Sequence, residues 1–275
     1  MTGVGVYSEN RNLLLFFLIA FAWSWFFWFI QILGFNFYIA PFGPFVAAFL
    51  LTYLREGVKG VKELLRRGFD PRIRKVWYIP VFLLWPIICG LSMLLVLLNE
   101  GVVPELVVFS QPWLILWNFV YIFFLGGPLQ EEFGWRGYAL PRFQAKHSAL
   151  ISSVVLGIIW AVWHFPLNFM YWLGPPYELG LSMFLSTVIL FIFVSILFTW
   201  VYNNTGGSIL AVLIFHTMLN LSTYVVFPVF ETQTGPTFYF TSIILASIII
   251  LAVFGVKTMM RKGKVSNNIK MSDAA

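Results

Sequence analysis

The sequence predicts an all-α, polytopic membrane protein of about eight transmembrane helices enclosing a polar cavity that faces the cytoplasm. Composition is the first of three observations behind this. The 275 residues are 60% hydrophobic and 10% charged, whereas soluble domains carry about 25% charged residues. Second, apolar runs long enough to cross about 30 Å of hydrocarbon at 1.5 Å per residue recur along the whole chain. Third, the basic residues are confined to alternate connections.

The runs fall at 13–33, 38–54, 76–98, 112–139, 149–173, 181–201, 207–227 and 237–256, joined by short connections containing Gly, Pro or Asn. The first lacks the short apolar core and small-residue cleavage site of a secretory signal, so it is expected to remain as a span. Loop 55–75 carries eight Lys and Arg against three acids and is assigned to the cytoplasm. Arg11, segment 136–146 and the polar tail 257–275 then fall on the same side, and together they account for all 17 basic residues. Glu100, Glu105, Glu178 and Glu231 supply the charge of the opposite loops. Both termini are therefore expected in the cytoplasm, with residues 1–275 forming a single membrane domain.

The net charge of +6 follows this topology rather than one soluble face, so no nucleic-acid partner is expected. Cys89 is the only cysteine, so an intrachain disulfide framework is excluded. The many tryptophans, among them Trp135, Trp160, Trp163 and Trp172, read as helix packing or an interfacial belt rather than as substrate contacts.

Function is legible where polar groups interrupt these runs, because an ionisable residue at the centre of a span costs about 2.5–3.5 kcal/mol on insertion scales. Three places stand out. The fourth run contains Gly126-Gly127-Pro128-Leu129-Gln130-Glu131-Glu132-Phe133-Gly134-Trp135-Arg136, the fifth contains His164, and the seventh contains His216 and Asn220. On a helix, residues four apart share a face and neighbours diverge by about 100°. Glu132 and Arg136 are thus natural partners, Glu131 faces elsewhere, and His216 and Asn220 project together. His147, between Lys146 and Ser148, reads as a surface residue.

Two imidazoles and a carboxylate can hold a metal with an open position, and a further carboxylate can act as general base. Asn220 is a suitable oxyanion donor. Without a metal, Glu131 and one histidine can activate water while the other histidine and Asn220 stabilise charge. The same groups also suit an ion- or proton-coupled transporter, or a non-enzymatic immunity protein that binds a membrane peptide. Flux without cleavage marks the first, and binding that survives Glu131→Gln marks the second.

At these residues the chain resembles the prenyl-protein endopeptidase and bacteriocin-processing family, the CAAX-type proteases and their prokaryotic relatives. The first motif, two glutamates, three residues and an arginine, is matched by Glu131, Glu132 and Arg136. The second, an aromatic residue, three others and histidine, runs from Trp160 to His164, with Trp where Phe is usual; the third is His216 with Asn220. The resemblance implies an intramembrane endopeptidase, assisted by Zn2+ or another divalent metal, acting on a membrane-tethered protein or peptide, with prenylated CAAX-type chains as one candidate substrate. It implies Glu131 as the base, His164 and His216 as metal or oxyanion ligands, Asn220 as a transition-state stabiliser, and Glu132 and Arg136 as supporting residues. For His164 and His216 to meet Glu131, the fifth helix must tilt or project toward the cytoplasm, and the fourth must continue past Glu131 toward Pro141.

Overall fold

The computed structural model describes residues 3–35, 37–166 and 177–260. Trp172, the end of the fifth apolar run and most of the C-terminal tail lie outside these residues. Among the described residues the elements are helical, with no strand. This is the expected all-α class, and its cause is that lipid offers no partner to an open backbone N–H or C=O.

In chain order the helices are α1 (Gly3–Ile32), α2 (Gly43–Gly68), α3 (Tyr78–Glu100), the single turn α4 (Val107–Ser110) and α5 (Trp113–Leu125). They continue with α6 (Pro128–Gly134), a π-helical turn (Trp135–Ala139), α7 (Leu140–Gln144) and α8 (Ala149–Trp163). The last three are α9 (Tyr177–Asn204), α10 (Ile209–Leu221), which runs into a second π-helical turn (Ser222–Val226), and α11 (Gly235–Phe254).

Five helical stretches among the described residues are long and apolar enough to span a bilayer: Asn10–Gln31, Lys75–Glu100, Ser182–Asn204, Ile209–Val226 and Gly235–Phe254. A sixth is present if Trp113–Leu125 and Pro128–Gln144, bent by 42° at their break, are taken as one. Two of the eight expected runs account for the difference. The second belongs to α2, which kinks at Gly57 and passes directly into charged sequence. The fifth is represented by α8, whose 15 residues cover about 22 Å at helical rise.

The charged half of α2 leads into an exposed ion-pair cluster, in which Arg66 meets Glu63 at 2.7 Å and Asp70 at 3.0 Å, while Arg72 meets Asp70 at 2.6 Å. The hydrogen bond from Arg72 holds the Asp70 carboxyl well below the usual carboxylate range.

The site is positioned by six helices. α6 packs against α2, α5 and α10, and α8 packs along α9. Close approach of α6 to α2 depends on Gly134, where a Cβ would fall 2.5 Å from Cβ of Pro44 and 2.6 Å from its carbonyl oxygen. Small residues perform this role where both surroundings and partner are apolar. The hydroxyls of Ser153 and Thr199 meet at 2.8 Å between α8 and α9. Outward-facing Leu14, Leu116, Trp117 and Ile249 are all more than half exposed, as lipid-facing side chains should be.

Beyond Glu131 the backbone continues helically through the π turn to Gln144, which meets the expectation that this helix passes Pro141. The expected single run 112–139 is nevertheless broken at Gly126 and Gly127. Gly127 has φ 113° and ψ −52°, outside the helical region, and Pro128 removes the next backbone donor. The Gly-Gly-Pro triplet is the sequence signal for this break.

Candidate active site

Pro128 occupies the first turn of α6, where its missing N–H costs nothing. The Glu131 amide donates to the Gly127 carbonyl at 2.9 Å. This turn buries two adjacent carboxylates, Glu131 at 4% and Glu132 at 0% exposure, and the helical twist sends them in different directions.

Glu132 accepts from Arg136 Nη1 at 2.9 and 3.1 Å, the predicted pairing at four residues' separation. Its Oε1 also lies 2.8 Å from His216 Nδ1. Because a carboxylate accepts and the arginine is already its cationic partner, Nδ1 carries the proton and Nε2 becomes the acceptor nitrogen of His216. The Arg136 guanidinium is sandwiched between aromatic faces, 4.5 Å from the centroid of Trp160 and 4.4 Å from that of Phe198, an arrangement that favours a desolvated cation.

Glu131 turns toward α8. Its Oε2 accepts from the indole N–H of Trp160 at 2.6 Å and from that of Trp135 at 3.3 Å. Oε1 faces the break between α5 and α6. An ideal Cβ on Gly127 would lie 2.9 Å from Glu131 Oε1, 3.7 Å from Asn220 Nδ2 and 3.8 Å from His216 Nε2. The missing side chain of Gly127 therefore leaves a space bounded by a carboxylate oxygen, an amide nitrogen and an imidazole nitrogen. Asn220 is anchored beside it through Nδ2, which donates to the Gly126 carbonyl at 2.9 Å, leaving the second amide hydrogen for another acceptor.

His164, at the C-terminus of α8, donates from Nδ1 to the Trp160 carbonyl at 2.9 Å. Its ring packs edge-on against Trp163 and Phe191, with centroids 4.6 and 5.0 Å away. It joins the site through Trp160, whose ring also meets His216 at 5.5 Å. All six residues named from the sequence thus lie in one cluster drawn from α6, its π turn, the end of α8 and α10, with Glu131, Glu132, Arg136 and His216 buried and His164 and Asn220 half-buried. His147 is exposed in the connection before α8.

Three features of this cluster escaped the sequence reading: Gly127, and the N–H groups of Trp135 and Trp160. Trp135 stands four residues after Glu131 and so shares its face. Trp160 stands one motif step before His164, where a phenylalanine would supply the ring without a donor.

A catalytic zinc site takes three protein ligands and an open position. Among the described residues no group of three His, Cys, Asp or Glu side chains converges in that manner. His164 and His216 would be the two imidazole ligands of a metal held here, one short of that set.

A family model described as type II CAAX prenyl endopeptidase Rce1-like matches residues 112–222. The chain is also 32% identical over 189 residues to CAAX prenyl protease 2 of Methanococcus maripaludis, covering 65% of this chain and 68% of that protein. The chain belongs to the Rce1-like CAAX prenyl endopeptidase family. It is accordingly a multi-pass membrane protein and an intramembrane endopeptidase. The segment shared with the Rce1-like family model runs from the start of α5 to the end of α10, so it contains every residue of the cluster.

Within this Rce1-like endopeptidase the pair Glu132 and Arg136 is fully buried. Truncating one partner of such a pair strands the other charge, at a cost of about 3–5 kcal/mol. Arg136→Ala should therefore lower the midpoint of thermal unfolding in detergent clearly. An unchanged midpoint would mean that the pair adds nothing to stability.

Proposed function

We propose that the protein hydrolyses a peptide bond in a membrane-tethered protein or peptide, using water activated by Glu131. The observation that carries this reading is the convergence of Glu131 Oε1, His216 Nε2 and Asn220 Nδ2 on the space beside Gly127. A water there is within reach of Glu131 Oε1, which takes one proton as the oxygen attacks the scissile carbonyl. Charge develops on the carbonyl oxygen and is met by the Asn220 amide, while His216, held at Nδ1 by Glu132, presents Nε2 as an acceptor that orients the attacking water. When the C–N bond breaks, the proton held by Glu131 passes to the leaving amine. One peptide bond and one water become one acid and one amine.

The apolar walls suit a lipid-modified or helical substrate, and the name of the Methanococcus relative makes a prenylated CAAX-type chain end the first candidate. The one-sided distribution of basic residues supports a cell-membrane orientation with both termini and the substrate entrance in the cytoplasm.

The test is cleavage of fluorogenic membrane peptides by protein in liposomes, with farnesylated and unmodified substrates compared. Asn220→Ala should lower kcat by about 10²–10³-fold, as expected for one oxyanion donor. Ion or proton flux without cleavage would replace this reading with a transporter. A metal-assisted version would place Zn2+ or another divalent ion on Nε2 of His164 and of His216. Elemental analysis separates the two versions. Well below one metal per chain, with cleavage intact, supports the metal-free form; roughly one per chain, lost in His164→Ala and His216→Ala, would overturn it.

A further inference from the structure

We infer that Trp160 is a positioning residue of this hydrolase: its indole N–H holds Oε2 of Glu131 so that Oε1 is the oxygen presented to water. The inference rests on the reading of Glu131 as the base and adds to it the device that aims that base.

The geometry is specific to atoms. Trp160 Nε1 lies 2.6 Å from Glu131 Oε2, and Trp135 Nε1 lies 3.3 Å from the same oxygen. Both indole donors therefore fall on one carboxylate oxygen, and the other faces the space beside Gly127. An isolated carboxylate turns readily about its last torsion. A short hydrogen bond to an ionised acceptor opposes that rotation and is among the stronger ones a protein makes. Trp160 is 3% exposed, so water does not compete freely for the bond.

Packing holds the indole itself on several sides. The Arg136 guanidinium lies over its face, and the rings of Phe198, Phe191 and His216 meet it at 5.6, 4.8 and 5.5 Å between centroids. Its backbone carbonyl receives Nδ1–H of His164. One residue of α8 thus orients the base on α6 and a histidine one turn along its own helix. A phenylalanine at 160 would keep one aromatic ring and lose the N–H together with the second ring; 3-benzothienylalanine at 160, in which sulfur replaces the N–H, removes the donor alone.

Trp160→Phe and the benzothienyl variant should both lower kcat about tenfold or more, the scale of one hydrogen bond to a charged group, while in the benzothienyl variant KM stays within about twofold and the unfolding midpoint is little changed. A purely structural ring would be replaced by benzothiophene with kcat unaltered, and that result would overturn the inference. Glu131→Gln is run beside it: if that variant remains active, the reading of Glu131 as the base itself fails, whereas an inactive Glu131→Gln with a near-wild-type Trp160→Phe removes only the positioning role. Should Trp160→Phe not fold, 15N-indole spectra of wild type and Glu131→Gln decide the matter. Indole N–H resonances should move upfield when the carboxylate becomes an amide, and spectra without such a shift would overturn the inference.

Discussion

Glu131→Gln should abolish peptide hydrolysis and leave the fold in place. The amide has the size of the carboxylate and its oxygen can still accept from the Trp160 and Trp135 indoles, bonds of 2.6 and 3.3 Å in the parent. It cannot take a proton from water. General-base catalysis contributes about 10²–10⁴-fold, so kcat should fall by at least about 10²-fold. Stability should not fall with it, because a neutral side chain replaces an ionisable one at a buried position. Cleavage of a liposome-embedded reporter, measured beside the thermal unfolding midpoint, checks both halves. Activity within tenfold of the parent would remove Glu131 from the reaction.

Gly127→Ala should be nearly as damaging to turnover through a different cause. At φ 113° a side chain is strained, at about 1–3 kcal/mol. The new methyl would stand 2.9 Å from Glu131 Oε1 and inside the gap shared with Asn220 and His216. Relief requires moving the base or reopening the bend, and a misplacement of about 1 Å can cost on the order of 10²-fold. Gly101 separates strain from obstruction. Its φ is 75° at the end of α3, and nothing lies within 4 Å of the Cβ position. Gly101→Ala should therefore lose stability with kcat kept, whereas Gly127→Ala should lose kcat. Equal kcat in the two variants would mean that the space beside Gly127 is not where the substrate reacts.

Much of the site was legible before any tertiary information. Two glutamates, two histidines and an asparagine are conspicuous in spans otherwise almost free of such groups, since each costs insertion free energy. The pairing of Glu132 with Arg136 follows from helical spacing alone. What spacing could not show is that His216, 84 positions from Glu132, engages the same carboxylate oxygen through Nδ1. Nor could it show that Glu131 is held by an indole 29 positions away. Trp160 had read as an aromatic filler, because ring size is visible in a motif and the use of an N–H is not. The span count was less legible too: hydropathy does not distinguish a straight apolar helix from α2, which kinks at Gly57 and runs into charged sequence, or from the broken pair α5 and α6.

The sequence by itself determined the solvent, the helical class and the identities of the reactive groups. Transfer free energy, backbone satisfaction in lipid and the 3.6-residue turn are all properties of a local stretch of chain. The tertiary structure alone decided which oxygen of Glu131 faces the gap, which nitrogen of His216 carries the proton, and that the gap exists because Gly127 has no side chain. Those outcomes depend on the rotation and depth of one helix against another, set by close packing among α2, α6, α8 and α10, and no single segment contains that information.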